Sequence, residues 1–363
     1  MTQKKLVIFM PSIEGGGVEK NLFIISNFLG SKFEKSVLIT HSRKFKNKFK
    51  NIQIIFPKFD FKNISGRKIK YILCLYELIK ICFKEKEIVI FAFQANLYCA
   101  LIGIFFRKIR IITRSNSSPS GWSNNLFKKF IFKILFRRIN QVIVNSIIFK
   151  KELKKKFNVN ALCIYNPLNV REIEILSKKK INNNHFKTNN LKLLNIGRLV
   201  DQKDQITFLK ALNLLKEKIK FKAIIIGNGI KKNELLDFIK KNKLNHLVKI
   251  INFQKNPFTY IKMTDILVHT AKFEGLPNVL LEAAVLKKFI ISTNCPTGPS
   301  EILSNGKGGE LVKIGDYKKI ANKIQYYTPK KTKNKIILTS KNLYRFDYNK
   351  NLKKYSNVIK KFL

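Results

Sequence analysis

A chain of 363 residues with 72 Lys+Arg against 22 Asp+Glu has a formal net charge of +50, and 45% of its residues are hydrophobic. At roughly 150 residues per domain this length suggests about two domains with sizeable cores. The composition excludes an acidic, collagen-like, disordered or disulfide-scaffold protein. The excess charge points to nucleic acid, an anionic membrane or an anionic substrate as partner. The joint enrichment in Lys, Asn, Ile and Phe, which share AT-rich codons, offers codon drift as a competing source of the lysine. Cys74, Cys82, Cys99, Cys163 and Cys295 form no C-x-x-C pair and read as free thiols of a reducing cytosol.

In chain order, the start MTQKKLVIFMPS has too short an apolar run for a signal peptide. LVIFM (6–10) is a predicted strand, followed by a glycine-rich turn and a helix near Val18 to Leu29. SVLIT (36–40), IQIIF (52–56), EIVIFAF (87–93), IRIIT (109–113) and QVIVN (141–145) are further strands. The uncharged stretch from Ile88 to Phe106 approaches bilayer-spanning length. Gln94 and Asn96 in its middle favour a buried strand, a turn and a buried helix over a membrane span. The polar tract from Leu176 to Asn190 reads as an exposed linker between domains 1–175 and 191–345. KLLNIG (192–197), KAIIIG (222–227), VKIINF (248–253), ILVHT (266–270) and FIIST (289–293) are the strands of the second domain. An amphipathic helix over 346–363 follows, expected to return to the first domain. Near-continuous apolar strands alternating with helices predict an α/β protein of two doubly wound, Rossmann-like domains, with ligands bound outside the carboxyl ends of the strands.

Residues that could carry chemistry stand just after strands. Glu14-Gly15-Gly16-Gly17 opens a helix. It is either a cradle for a phosphate or acceptor or a tight strand-to-helix turn. Gly227-x-Gly229 is a weaker version. Arg198, after Gly197, and Lys203 can turn into one pocket, where a planar fork and a point charge suit a diphosphate. The run from Phe273 to Ala283 places Glu274 on a loop, Pro277 at a helix start and Glu282 in the helical turns that follow. Asn294-Cys295-Pro296-Thr297-Gly298-Pro299-Ser300-Glu301 is a rigid turn at a strand's carboxyl end, either a structural βα loop or, facing the same cleft, a functional one. There is no D-x-D, H-E-x-x-H or P-loop, and His41, His185, His246 and His269 lack metal-ligand spacing.

Together these motifs resemble the retaining glycosyltransferases of family 4, which have the GT-B fold. Glu274 and Glu282 match that family's E-x7-E motif, NIGRL (195–199) with Lys203 its donor-diphosphate motif, and Gly15 to Gly17 its N-terminal loop. VIVNS (142–146), IYNPL (164–168) and FQKNP (253–257) fall in the family's order. The NCPTGPSEIL version is similar to a bacterial subgroup that builds surface polysaccharides, lipopolysaccharide among them, or lipid-linked oligosaccharides. The resemblance implies a hexose or N-acetylhexosamine moved from a nucleotide diphosphate sugar, UDP-linked in expectation, with retention and without a metal or other cofactor. It implies that Arg198 and Lys203 bind the departing diphosphate, Glu274 orients the transferred sugar and Glu282 binds the ribose. Gly275, Leu276, Pro277 and Asn278 would approach sugar and phosphate, Asn256 and Pro257 would lie near the base, and Gly16 and Gly17 would flank donor and acceptor. Many relatives carry a histidine on a loop of the first domain. Here that stretch reads TRSNSSP, so Arg114 or Asn116, with Gly15, is expected on the acceptor or sugar side. A nucleotide-sugar epimerase of the same fold and a basic nucleic-acid-binding protein are the alternatives.

The charge divides into +26 for residues 1–180 and +24 for 181–363. Two segments rise above this even background: Arg43 to Lys70 and Lys128 to Lys156 each hold ten basic residues and one acid. In the second, Phe127, Phe130, Ile131, Ile134 and Leu135 interleave with basic residues at helical spacing. That pattern fits an interfacial helix or a helix packed on its own sheet. A lipid-linked acceptor would set the first domain against the anionic inner face of the cell membrane.

Overall fold

A computed structural model describes residues 4–14, 16–58, 66–85, 87–116, 126–181 and 183–363. The chain divides into two compact units, 1–167 with 348–363, and 168–347.

The first unit alternates β1 (Lys5–Phe9), α1 (Gly17–Gly30), β2 (Ser36–Ile39), β3 (Gln53–Ile55), α2 (Arg67–Lys84), β4 (Ile88–Ala92), α3 (Asn96–Phe105), β5 (Arg110–Ser115), α4 (Leu126–Phe136), β6 (Gln141–Val144), α5 (Ile147–Phe157) and β7 (Leu162–Cys163). Every strand pair is parallel, in the order β3-β2-β1-β4-β5-β6-β7. Both faces of the sheet are covered, as the apolar runs require. Val7, Phe9, Ile90 and Ile111 pack under α2 to α5, whereas Leu6, Ile8, Phe91 and Ile143 pack under α1 and the chain's last helix. The uncharged stretch resolves as expected into β4 and α3. The turn between them is set by Ala95 in the left-handed region, φ 57°. No helix among the described residues is long and apolar enough to cross a membrane.

The second unit contains α6 (Val170–Ser177), β8 (Leu191–Ile196), α7 (Gln205–Leu215), β9 (Phe221–Ile226), α8 (Lys232–Lys241), β10 (Val248–Ile251), α9 (Phe258–Met263), β11 (Ile266–His269), α10 (Asn278–Val285), β12 (Phe289–Thr293), α11 (Gly298–Ile302), β13 (Glu310–Val312), α12 (Tyr317–Gln325) and α13 (Pro329–Lys341). Its sheet is also all parallel, in the order β10-β9-β8-β11-β12-β13. The last helix, α14 (Tyr348–Lys360), returns to the first unit, burying Leu352, Tyr355 and Ile359 in the core beneath α1.

The tract expected to be an exposed linker is instead part of the second unit. The carbonyl of Leu176, at the end of α6, accepts from Asn256 Nδ2 at 2.9 Å. His185 and Phe186 are buried, with His185 Nε2 3.1 Å from the carbonyls of Ala223 and Leu247. Two buried rings in a polar run supply the contacts that composition alone concealed. The domain boundaries accordingly fall after Pro167 and Asp347 rather than at 175 and 345.

In each sheet the strand order reverses beside the first strand of the unit, between β1 and β4 and between β8 and β11. The loops after those strands leave in opposite directions, which opens a crevice at the carboxyl ends.

Candidate active site

In the second unit that crevice is bordered by the loop after β8, carrying Arg198 and Lys203, and the loop after β11, carrying Glu274. Polar contacts stitch the two loops together. Asn195 Nδ2 donates to the Val268 carbonyl at 2.9 Å, and Gln202 Nε2 to that of Phe273 at 2.9 Å. The Lys272 N–H donates to the Gln202 carbonyl at 2.8 Å, and Thr270 Oγ1 to that of Lys203 at 2.9 Å. A third loop, after β12, closes on the same place. Gly298 N–H donates to the Gly275 carbonyl at 2.7 Å. A Cβ at Gly298 would sit 2.4 Å from that oxygen, so only glycine allows this approach. Thr297 Oγ1 lies 2.7 Å from the carbonyl of Glu274 and 2.8 Å from that of Gly275.

Glu274 is buried, and Lys203 Nζ forms an ion pair with its Oε1. His269 Nε2 is 3.1 Å from the same oxygen. Among the described residues Oε2 receives no hydrogen bond. Burial alone would raise this carboxyl, but the Lys203 ammonium and the His269 hydrogen bond outweigh it and hold the pKa at about 2, against an ordinary 4.5. Glu274 is therefore ionised throughout the physiological range. It can accept hydrogen bonds but is a poor proton donor or base near neutrality. For His269, burial lowers the pKa and Lys203 adds to that, against Glu274. A carboxylate only accepts, so the neutral imidazole carries its proton on Nε2 and leaves Nδ1 an acceptor 3.0 Å from Ser292 Oγ, whose one proton also has the Thr293 carbonyl within reach at 3.0 Å.

The depressed carboxyl sets an acid limit on stability. The stabilisation is complete above pH 4.5 and is lost as the pH falls toward 2. Glu274→Gln is expected to flatten this part of the acid-unfolding curve followed by circular dichroism. It should also lower Tm at neutral pH, where Lys203 loses its counter-charge.

The structure brings Lys203, Glu274, Gly275, Leu276, Pro277 and Asn278 to one place, with exposed Arg198 on the Lys203 loop. Pro277 is the N-cap of α10 rather than its first residue, so the positive end of that helix dipole lies at the Glu274 loop. Glu282 is buried on α10. Asn256 uses its side chain on the fold. Besides holding Leu176, its Oδ1 accepts from Phe258 N–H at 3.3 Å, and Pro257 is the N-cap of α9.

Three readings of the first unit change. The Gly16 N–H, expected to meet a phosphate, donates to Glu19 Oε2 at 2.8 Å, so a carboxylate of the chain already occupies that side of the α1 start beside Gly17. Gly15 lies outside the described residues. Arg114, expected on the sugar side, is 1% exposed; its Nε donates to Tyr355 Oη at 2.9 Å and Nη2 to Asn166 Oδ1 at 2.6 Å. It fastens α14 to β5 instead. Asn116 Nδ2 donates to the carbonyls of Phe93 and Arg114, each at 3.3 Å. Sequence reasoning marked Thr297 only as part of its loop and missed His269, Ser292 and Gln202. Their signal was position: His269 ends β11, Ser292 is the penultimate residue of β12, and the other two lie on the loops that follow strands.

Two all-parallel α/β units, with loops bearing charged groups at the strand ends, have the architecture of GT-B glycosyltransferases. Anabaena Alr3699/HepE, solved in complex with UDP, superposes with a TM-score of 0.78 at 17% identity, covering 98% of this chain and 100% of that one. A glycosyltransferase from Rickettsia africae gives 0.76 at 17% identity, over 100% and 99%. Residues 177–342 match the family "Glycosyl transferases group 1". A similar protein over most of its length is the N-acetylgalactosamine-N,N'-diacetylbacillosaminyl-diphospho-undecaprenol 4-alpha-N-acetylgalactosaminyltransferase of Campylobacter jejuni. The two are 24% identical over 325 residues, 86% of each chain.

Proposed function

We propose that the protein is a retaining, metal-independent glycosyltransferase of family 4. It moves a hexose or N-acetylhexosamine from a UDP-linked donor to a lipid-linked or growing oligosaccharide acceptor in cell-surface glycan synthesis. It works at the inner face of the cell membrane, with no nucleic acid as partner. The observation that carries the reading is the state of Glu274: ionised, locked through Oε1, and open at Oε2 to a sugar hydroxyl. The Campylobacter relative, which by its name acts on a diphospho-undecaprenol acceptor, supports the acceptor class.

The difficult event is loss of a nucleoside diphosphate while positive charge grows at the anomeric carbon. Arg198, Lys203 and the start of α10 offer preorganised positive potential where the negative charge develops. Because Glu274 stays ionised beside the sugar, it binds and orients rather than exchanging protons. The acceptor hydroxyl then attacks from the face that the diphosphate leaves, its proton passing to the departing diphosphate oxygen.

Purified protein offered a panel of nucleotide sugars with a polyprenyl-diphosphate saccharide acceptor is expected to transfer from a UDP-sugar. Transfer should persist in excess EDTA, and the product anomer, read by NMR, should match the donor's. Inversion, or loss of activity with EDTA restored by a divalent cation, would overturn the corresponding part. Epimerised nucleotide sugar formed without acceptor would place the protein with the epimerases.

A further inference from the structure

One face of the first unit is apolar on its outside as well as on its inside. Helices α2, α3 and α4 cover the same side of the sheet, and each turns a second apolar stripe to solvent. On α2 this is Ile72, Tyr76 and Phe83, at helical spacing, with Phe83 78% exposed. Helix α3 contains no charged residue and exposes Tyr98, Leu101, Ile104 and Phe105, the last 77% exposed. On α4, Phe130 and Ile134 are one turn apart and exposed. The stripes adjoin: Tyr71 meets Tyr98 edge-on, Phe83 meets Phe106 edge-on, and Arg138 of the α4–β6 connection donates to the Gly103 carbonyl of α3. A helix that is apolar all round is ordinarily buried, and contiguous exposed apolar surface marks an interaction site.

The same face is basic. Lys80, Lys84, Arg107, Lys108, Lys133 and Arg137 are exposed along it. The described acids between α2 and β4 are each paired to a lysine: Glu77 with Lys80, Glu85 with Lys5 and Glu87 with Lys4. We propose that α2, α3 and α4 together form an in-plane docking face for an anionic lipid bilayer, the aromatic and aliphatic side chains entering the headgroup boundary and the lysines and arginines meeting lipid phosphate. A second copy of the chain fits worse, because two such faces would oppose like charges. Nucleic acid would leave the phenylalanines in water. This rests on the proposed lipid-linked acceptor only for its biological sense. The face itself is an independent observation, and it extends the expected basic helix of α4 to α2, whose start lies in the other basic segment, and to α3, which the charge distribution did not mark.

The test is flotation of the full chain with phosphatidylcholine vesicles, with and without phosphatidylglycerol. Binding is expected to anionic vesicles and to fall with added salt. Lys84→Glu with Arg107→Glu and Lys133→Glu should weaken it on the order of a hundredfold. Phe83→Ser with Phe105→Ser and Phe130→Ser should weaken it at least about tenfold. UDP-sugar hydrolysis should stay unchanged in both triple variants, so loss of docking is told apart from loss of the catalytic reading. Equal binding to neutral and anionic vesicles at low salt, or a serine variant that floats like the parent, would overturn the proposal. So would a dimer that this variant converts to monomer, which would make the face a self-interface.

The second unit supports a separate inference, which rests on the reading of Glu274. His269 is 3% exposed and bridges Ser292 Oγ to Glu274 Oε1, the oxygen that also holds Lys203. We infer that His269 is a positioning residue: it fixes the carboxylate's rotation and so turns Oε2 toward the sugar. His269→Leu is expected to lower kcat roughly tenfold or more while UDP affinity stays within about twofold, since one hydrogen bond to a charged group is lost. His269→Gln, which keeps a donor, should recover most of kcat. Equal impairment of Leu and Gln variants, or a fully active Leu variant, would overturn this. A fully active Glu274→Gln enzyme would overturn the Glu274 reading and this inference with it.

Discussion

Arg198→Ala is expected to lower kcat by about 10²–10³, the usual cost of removing one preorganised group that stabilises developing charge. Tm should hold, because the Arg198 side chain is exposed and the contact that ties its loop to α7, from Gln205 Nε2, goes to the backbone carbonyl at 3.0 Å. Lys203→Ala should produce a similar kinetic loss but a different stability outcome. Lys203 is mostly buried against Glu274, and removing one partner of a buried pair costs about 3–5 kcal/mol. The two variants therefore separate in a thermal melt while coinciding in an assay of sugar transfer. Wild-type turnover in either would sink the assignment of the diphosphate site.

Most of the fold was legible because burial on both faces of a parallel sheet writes itself as runs such as EIVIFAF and KAIIIG. The short edge strands β7 and β13 were not, because they lack the isoleucine-rich flanking run (IQIIF) that marked the comparably short β3. The loops of the second unit were legible for a related reason: Arg198, Lys203 and Glu274 each follow an apolar strand, where a parallel sheet places its ligands. What spacing could not show was pairing across loops. Glu274 reads as a solvated acid until Lys203, 71 residues away, is found on its oxygen. His269 has no metal-ligand partner at a recognisable interval, so a search by spacing passes over it, although its ring completes the site. At the glycine-rich turn spacing likewise did not show that Glu19, three residues beyond Gly16, accepts from the Gly16 N–H.

Glu274→Gln should divide binding from chemistry. The amide keeps the volume and still offers an oxygen to Lys203 and His269, so nucleotide affinity, set by Arg198, Lys203 and the start of α10, should change little. Turnover should fall, because a neutral amide oxygen accepts more weakly from a sugar hydroxyl than an ionised carboxylate does. A UDP titration by calorimetry set against kcat measures the two effects separately. If the substitution mainly weakened UDP binding and left kcat intact, Glu274 would be a nucleotide ligand and the sugar-orienting role would pass to Glu282. The pH profile adds a second check. A group held at about 2 contributes no limb between pH 5 and 8, so parent and variant profiles should run parallel there. A limb present in the parent and absent from Glu274→Gln would show that the carboxyl exchanges a proton during transfer, against the ionised, hydroxyl-binding role argued from its contacts with Lys203 and His269.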